Sequence, residues 1–459
     1  MQVPIKNALI NHDVDGLPKD QRFLAILTVI LGLSIAVMDG SIANLALPAI
    51  ARDMHASAAE AIWIINSYQI AMAVCLLPLA SLGEVIGYRR IYLLGLVLFT
   101  AASLACALAD TIALLSLARV LQGFGAAGIL SVNTALIRFI FPSRLLGRAI
   151  SYNAVVAGTA SALGPTVAGM ILHFASWHWL FLINIPLGLL SLAIGQRALP
   201  YNPLSARKYD SLSAVLCMLF IGLLLYSVDA IGHLQSIATI LLCATLTVAT
   251  LVLLLRLQSP GAPMLPLDLL RIPLFALSIS TSFCSFAAQT ATFVMLPFLL
   301  QNQLGMNAAH AGLLMTAWPI AVAATAMIAG KLSDRIAAGL LGGIGLAIMT
   351  AALLALLTID QSSADLTIAL QLALCGIGFG LFQSPNNRTM INAAPRARTG
   401  AASGMLGTGR LVGQTMGASL VALILIAAHT PYTVVLYCAA GLSGMACLVS
   451  LSRLRYQRQ

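Results

Sequence analysis

"GEVIGYRR" (Gly83–Arg90) is the stretch on which the fold turns. It separates two long apolar runs and holds glycine, an acid and arginines in one short loop. A looser copy, "GKLSDR" (Gly330–Arg335), separates two later apolar runs. If each loop follows the second helix of a repeat, the chain carries one helical unit twice.

The rest of the chain fits that frame. Of 459 residues, 60% are hydrophobic and only 8% charged, and the mean hydropathy is +0.97. A soluble protein carries about 25% charged residues. Apolar runs of about 20 residues recur, each long enough to cross a hydrocarbon core of about 30 Å as a helix. The fold class expected is therefore an all-α polytopic membrane protein. Spans are expected at 23–47, 60–81, 90–109, 111–137, 148–173, 178–199, 211–230, 234–255, 272–300, 310–330, 338–358, 365–390, 400–427 and 432–452. The first run ends at Pro48 without a small-residue cleavage pattern, so it is expected to be a retained helix, not a signal peptide.

The two loop copies divide these fourteen spans into repeats of spans 1–6 and 9–14. Spans 7 and 8 are then an inserted pair. "RALPYNPLSARKYD" leads into that pair and "LQSPGAPMLPLDLLRIP" leads out, both polar and Pro-rich enough for linkers. The expected units are residues 1–205, 206–260 and 261–459. Paired six-helix halves are a recurring transporter architecture. The inserted pair holds Asp229 as its only acid, near the outer end, and is expected to stand clear of the transport path.

Fourteen is even, so both termini lie on one side. All but three of the 24 Lys and Arg fall in loops on that side or in the terminal segments; the exceptions are Arg52, Arg119 and Arg410. This bias places the termini in the cytoplasm. The net charge of +10 is thus a topology signal, and no nucleic-acid partner is expected. The eight cysteines lie singly in apolar runs without a CxxC pair, so no disulfide framework and no metal site is expected. An enzyme is not expected either: there is no nucleophile–base set, no HExxH, and no loop long enough to hold a catalytic domain.

Four segments, in order and on the appropriate spans, resemble the major facilitator superfamily and, within it, the fourteen-helix drug:proton antiporter branch. They are "MDGSIANLALP" (Met38–Pro48), "GEVIGYRR", "LARVLQGFGAA" (Leu117–Ala127) and "GTASALGPTVAG" (Gly158–Gly169). The resemblance covers nearly the whole chain. It implies two pseudo-symmetric halves, alternating access and antiport. Gly83, Glu84, Gly87, Arg89 and Arg90 would serve conformational gating, with Asp334 and Arg335 as the second copy. The family form of the loop has glycine, aspartate and arginine where this chain has Ala80, Glu84 and Val85. In the family the acid meets a helix N-terminus of the other half; here that contact would join Glu84 to the helix starting near Thr399. Gly158, Gly164 and Gly169 offer a surface without bulk for close helix approach. Pro165 removes a backbone hydrogen bond and favours a kink, so this span suits a pivot or seal between halves. The resemblance also implies no cofactor beyond a proton gradient, a monomer, and a bacterial inner membrane.

Asp39 is the acid within the first span. A charge at that depth costs about 3 kcal/mol or more on insertion, so it is expected to face the protein interior or a water cavity. Asp39 lies roughly 13 Å below the outer end of its span and Arg119 roughly 12 Å below the outer end of the fourth, at about 1.5 Å per residue. The two therefore share a level. The resemblance links the arginine in "LARVLQG" to proton coupling. Asp39 as proton carrier with Arg119 as its regulator, a static ion pair, and direct binding of a cationic substrate are all compatible with this placement. Arg410 has no acid within the second repeat's spans; backbone carbonyls, Gln383, Asn386 or an anionic substrate group are its candidate partners.

Polar and aromatic residues recur at helical spacing near Asp39's level: Trp63, Asn66 and Gln69 on the second span, Phe286, Gln289 and Phe293 on the ninth. With Asn44 and Trp318 they form the expected substrate cavity, suited to amphipathic, cationic small molecules. A proton-coupled exporter of a specific metabolite or organic ion is the alternative, and an importer a lesser one.

Overall fold

The computed structural model describes residues 16–202, 204, 209–232, 235–258, 263–333, 335–395, 398–428 and 430–457. Asp334, Arg207 and Lys208 lie outside the described residues. The described chain is all-helical, with fourteen helices long and apolar enough to cross a membrane. They are α1 Lys19–Asp53, α2 Ala58–Ile86, α3 Tyr88–Ala107, α4 Ile112–Ile140, α5 Ser143–Phe174, α6 Trp179–Ala198, α7 Ser211–Gly232, α8 Ile237–Leu257, α9 Pro273–Gln303, α10 Ala308–Leu332, α11 Ala338–Thr358, α12 Asp365–Ala393, α13 Thr399–Ala427 and α14 Pro431–Ser452. Every expected span is present, and most run a few residues longer at one or both ends.

Two spans are broken where the sequence places a proline just inside a new segment. α6 breaks at Ile183 between Leu182 and Asn184, and Pro186 cannot donate to the Leu182 carbonyl. α10 breaks at Thr316, and Pro319 cannot donate to Met315. The α2–α3 corner is set by Gly87, whose φ of +107° is a conformation side chains disfavour.

Helices α1–α6 and α9–α14 form the two halves, and glycine crossings repeat between them. In the first half, a Cβ on Gly123 would stand 2.5 Å from Tyr68 O of α2, and one on Gly125 would stand 2.8 Å from Gly95 O of α3. In the second, a Cβ on Gly376 would stand 2.2 Å from Trp318 O of α10, and one on Gly378 would stand 2.5 Å from Gly345 O of α11. In each half one helix thus uses two glycines, two residues apart, to press onto both neighbours. Without a hydrophobic drive between helices in lipid, such close backbone approach supplies the packing.

The halves meet along two seams. α5 lies against α10: Cβ atoms on Gly169 and Gly312 would meet Ala309 Cα at 2.9 Å and Pro165 O at 2.4 Å, and the Thr166 and Thr316 hydroxyls are 2.5 Å apart. α13 lies against α2: Cβ atoms on Gly404 and Gly407 would meet Leu77 at 2.4 Å and Leu76 at 2.8 Å. Gln301 of α9 adds a bond across to Leu45 O of α1 at 3.1 Å. On the side away from the termini, then, the halves are joined by α1–α9 and α5–α10 contacts, whereas the Gly404 and Gly407 contacts of α13 with α2 lie in the half of the span nearer the termini.

α7 does not stand clear of this assembly. Asp229 is fully buried; it accepts from Asn66 Nδ2 of α2 and, at 3.0 Å, from Ser419 Oγ of α13. Near the other face, Arg453 is not a loop residue but is fully buried, bonded to Asn386 Oδ1 of α12 at 2.5 Å and Ser278 Oγ of α9 at 3.2 Å. Cys438 and Cys447 are half-buried and the other cysteines buried, all unpaired.

Candidate functional site

Asp39 sits where α1, α4 and α6 converge, and is 1% exposed. Arg119 Nη1 is ion-paired with its Oδ2. Its other oxygen, Oδ1, accepts from Gln122 Nε2 at 3.0 Å and from Asn184 Nδ2 at 2.8 Å. Three donors therefore compensate a carboxylate that burial would otherwise make costly.

Arg119 is held as firmly. Its Nη1 also donates to Gln122 Oε1 at 2.6 Å and its Nε to Ile64 O of α2 at 3.1 Å. The guanidinium carbon lies 4.0 Å from the centroid of Tyr68, whose hydroxyl donates to Ala36 O at 3.1 Å. Gln122 Nε2 reaches on to Ser103 Oγ of α3 at 2.9 Å. The break in α6 lets Asn184 begin a new segment with its amide turned onto Asp39. Asn184 Oδ1 itself has no hydrogen-bond partner, which leaves one open acceptor beside the carboxylate.

The shared level of Asp39 and Arg119 is therefore a direct ion pair. Gln122 and Asn184 were not singled out by the sequence reasoning. Gln122 had a signal: three residues after Arg119, it falls on the same helix face. Asn184 had a weaker one, an embedded amide just ahead of a proline.

The expected cavity residues divide into two sets. Trp63 and Asn66 turn to α7, with the Trp63 ring 6.2 Å from Tyr226 and Asn66 on Asp229. Phe286 and Phe293 belong to an aromatic wall of the second half, 5.1 Å from Phe379 and 5.0 Å from Trp318 respectively. Trp318 Nε1, Gln69 Oε1 and Asn44 Oδ1 are buried without a partner. Gln289 is half-buried. Unpaired buried polar atoms are costly in a dry interior, and they stand here on helices of both halves.

Among the gating candidates, Gly164 abuts Ser41 of α1, a Cβ there falling 2.5 Å from Ser41 Cβ, while Gly158 and Gly169 face α10. Gly83 is pressed by Tyr88, 2.7 Å from where a Cβ would stand. Arg89 bonds Gln196 O and lies 4.3 Å from the Tyr201 ring centroid; Arg90 reaches Ile86 O at 3.4 Å. Glu84 is exposed and makes no hydrogen bond or ion pair with α13 among the described residues, unlike the expected contact near Thr399. Arg335 is exposed as well. Asn386, a candidate partner of Arg410, is instead taken by Arg453, Ser282 and Ser278.

Comparison with known proteins bears on the fold and the family. The chain is 52% identical over 414 residues to the uncharacterized transporter YebQ of Escherichia coli (strain K12), covering 90% of this chain and 91% of that one. It is 32% identical to the multidrug resistance protein Stp of Mycobacterium tuberculosis (strain CDC 1551 / Oshkosh), over 88% of this chain and 76% of that one. It is 27% identical to the riboflavin transporter RibZ of Clostridioides difficile (strain 630), over 86% and 87%. A solved peptide transporter, POT in complex with sulfate, superposes with a TM-score of 0.71 at 14% identity, covering 95% of this chain and 94% of that chain, and shares the fold. The model of the Major Facilitator Superfamily matches residues 29–418 and again 277–458, and the chain is a multi-pass transporter belonging to that family.

Proposed function

We propose that the protein is a proton-coupled antiporter that exports amphipathic small molecules by alternating access. The observation that carries this is the buried Asp39–Arg119 pair on helices α1 and α4. A titratable carboxylate enclosed inside one half can exchange a proton only if the half rearranges or hydrates, which ties protonation to conformation. Protonation would cancel the charge that holds Arg119 Nη1, freeing the guanidinium to shift against Ile64 O and Tyr68. Asp39 is then the proton carrier and Arg119 its regulator. Gly158, Pro165 and Gly169 serve as the sliding surface of the α5–α10 seam, Gly164 as the close approach of α5 to α1, and the Gly83–Arg90 and Gly330–Arg335 motifs serve conformational gating. The 32%-identical multidrug resistance protein supports export of foreign compounds; the riboflavin transporter supports the alternative, export or uptake of one metabolite.

The cationic preference expected from Asp39 loses its support, because both carboxylate oxygens are already engaged by donors of the same half. Phe286, Gln289, Phe293, Trp318, Gln69 and Asn44 remain the candidate substrate wall. Residues 1–205 and 261–459 act as the moving halves, with 206–260 inserted between them. The protein works as a monomer in the bacterial inner membrane, both termini in the cytoplasm, on substrate and protons alone.

Everted vesicles test the coupling. Asp39→Asn keeps size and hydrogen bonding but cannot titrate; it should abolish gradient-driven export while folding is retained. Arg119→Lys keeps charge but loses the planar fork and should impair coupling despite its likeness. If Asp39→Asn still concentrates substrate against a gradient and still releases protons on substrate binding, the carboxylate is structural only.

A further inference from the structure

Arg410 is a second embedded cation, and nothing among the described residues neutralises it. It lies eleven residues into α13 from Thr399, roughly 16 Å along the axis at about 1.5 Å per residue, below headgroup depth. Among the described residues it makes no hydrogen bond or ion pair; the Phe286 ring centroid lies 5.9 Å from its guanidinium carbon. Its Nε is buried without a partner. The carboxylates embedded in the spans are engaged elsewhere, Asp39 by Arg119 and Asp229 by Asn66 and Ser419. Asn386 is taken by Arg453.

The packing of α13 says where Arg410 points. Gly404 and Gly407 rest on Leu77 and Leu76 of α2, and Gly413 and Gly417 on Phe283 and Ala287 of α9. At about 100° per residue, Arg410 falls on the strip between these two contact lines, with Ser403 and Gln414. That strip looks into the gap between the halves, where α2 belongs to one half and α9 to the other. Ser403 is exposed there, and Arg410 and Gln414 are half-buried. A guanidinium at this depth needs either a counter-ion or water, and it faces the one region that must open to both in turn.

We propose that Arg410 recognises an anionic group, a carboxylate or sulfonate, on the transported molecule, with the Phe286–Phe379 pair receiving its aromatic part. This rests on the transport reading above and assigns the substrate class of that same path. A guanidinium fork suits a carboxylate bidentately, and Gln414 lies one turn further along the same strip to meet a polar group. The anion neutralises Arg410 as it binds, so loading does not draw on the Asp39 pair and the two sites keep separate charges.

The test uses matched acid and ester probes in everted vesicles: rhodamine 110 with its methyl ester rhodamine 123, and nalidixic acid with its ethyl ester. Proton-driven uptake by the unaltered protein should favour the acid of each pair by at least about tenfold, one charge-assisted contact. Arg410→Gln should pull the acid-to-ester ratio toward one, and Arg410→Lys should restore part of it. Preference for the esters, equal handling of acid and ester, or a ratio unmoved in Arg410→Gln overturns the proposal while leaving the transporter reading intact. Movement of no probe from either class overturns the anion assignment for these amphipaths, and an absence of any substrate-dependent proton flux across the wider compound panel would remove the antiport reading with it. The ratio in the unaltered protein decides the matter even where a variant does not fold.

Discussion

Asn184 donates from Nδ2 to Asp39 Oδ1 across 2.8 Å, opposite the Arg119 guanidinium on Oδ2. It comes from α6, whereas the other donors come from α4, so the carboxylate ties three helices together. Asn184→Leu removes one charge-assisted bond of about 1.5 kcal/mol or more. Gradient-driven export should fall about tenfold, with expression and monodispersity on size exclusion unchanged. Wild-type export rates from Asn184→Leu would show that Asn184 only fills space beside the pair.

The Asp39–Arg119 pair was legible in the sequence because energetics left few choices. A buried acid needs a cation at its own depth, and depth can be counted along a helix. The Asp229 and Arg453 contacts were not legible. Which face a span presents depends on its rotational phase, and spans apolar all round carry little of that information. Trp63 and Asn66 have cavity spacing on paper, yet they turn to α7 because α7 occupies the outer end of the α2–α13 seam. Arg453 follows the last apolar run and so resembles a loop cation, but the end of α14 packs into α9 and α12. The fourteen spans were legible from hydropathy. The breaks at Ile183 and Thr316 had a signal too, a proline three residues on, but prolines also stand inside α1, α2, α5 and α12 without a break.

The repeated glycine crossings make a prediction about symmetry. A Cβ on Gly125 would sit 2.4 Å from Phe99 N, and one on Gly378 2.5 Å from Gly345 O. Backbone atoms cannot yield as side chains do. Gly125→Val and Gly378→Val should each destabilise the protein by about 1–3 kcal/mol through overpacking, lowering its melting temperature in detergent to a similar degree. Gly40 and Gly441 have open space at the Cβ position, so Gly40→Ala and Gly441→Ala serve as controls and should melt near the unaltered protein. Equal melting of all four variants would mean the crossings are looser than described.

Sidedness is open to cysteine labelling. Ser362 lies exposed in the α11–α12 turn, away from the termini; in sequence, Ser205 belongs to the basic linker that precedes α7. A cysteine at Ser362 should react with an impermeant maleimide in intact cells. One at Ser205 should react only after permeabilisation, because that linker carries Arg207 and Lys208. The native cysteines are buried or half-buried and should give a low background. The reverse pattern would invert the topology.

Asp229 gives the last prediction, and it runs against what the inserted pair suggests in sequence. Were α7 and α8 a passive addition, Asp229→Asn would be silent. Instead Asn66 Nδ2 donates to Asp229 Oδ1 and, at 3.1 Å, to Ser419 Oγ, which itself donates to Asp229 Oδ1 at 3.0 Å. One carboxylate oxygen thus joins α2 of one half and α13 of the other, toward the ends away from the termini. Opening that side must separate α2 from α13 and so break at least one of these bonds. Hydrogen bonds between membrane helices measure about 0.6 kcal/mol on average and up to about 1.7. Asp229→Leu and Ser419→Ala should therefore weaken the closed outer side about three- to twentyfold. The readout is labelling of a cysteine placed at Ser41, half-buried beside Gly164: its rate from outside should rise in either variant. The double variant should gain less than the product of the two, since both act on the same oxygen. Additive effects would place Asp229 and Ser419 in separate roles, and unchanged labelling in both would return α7 to a passive position.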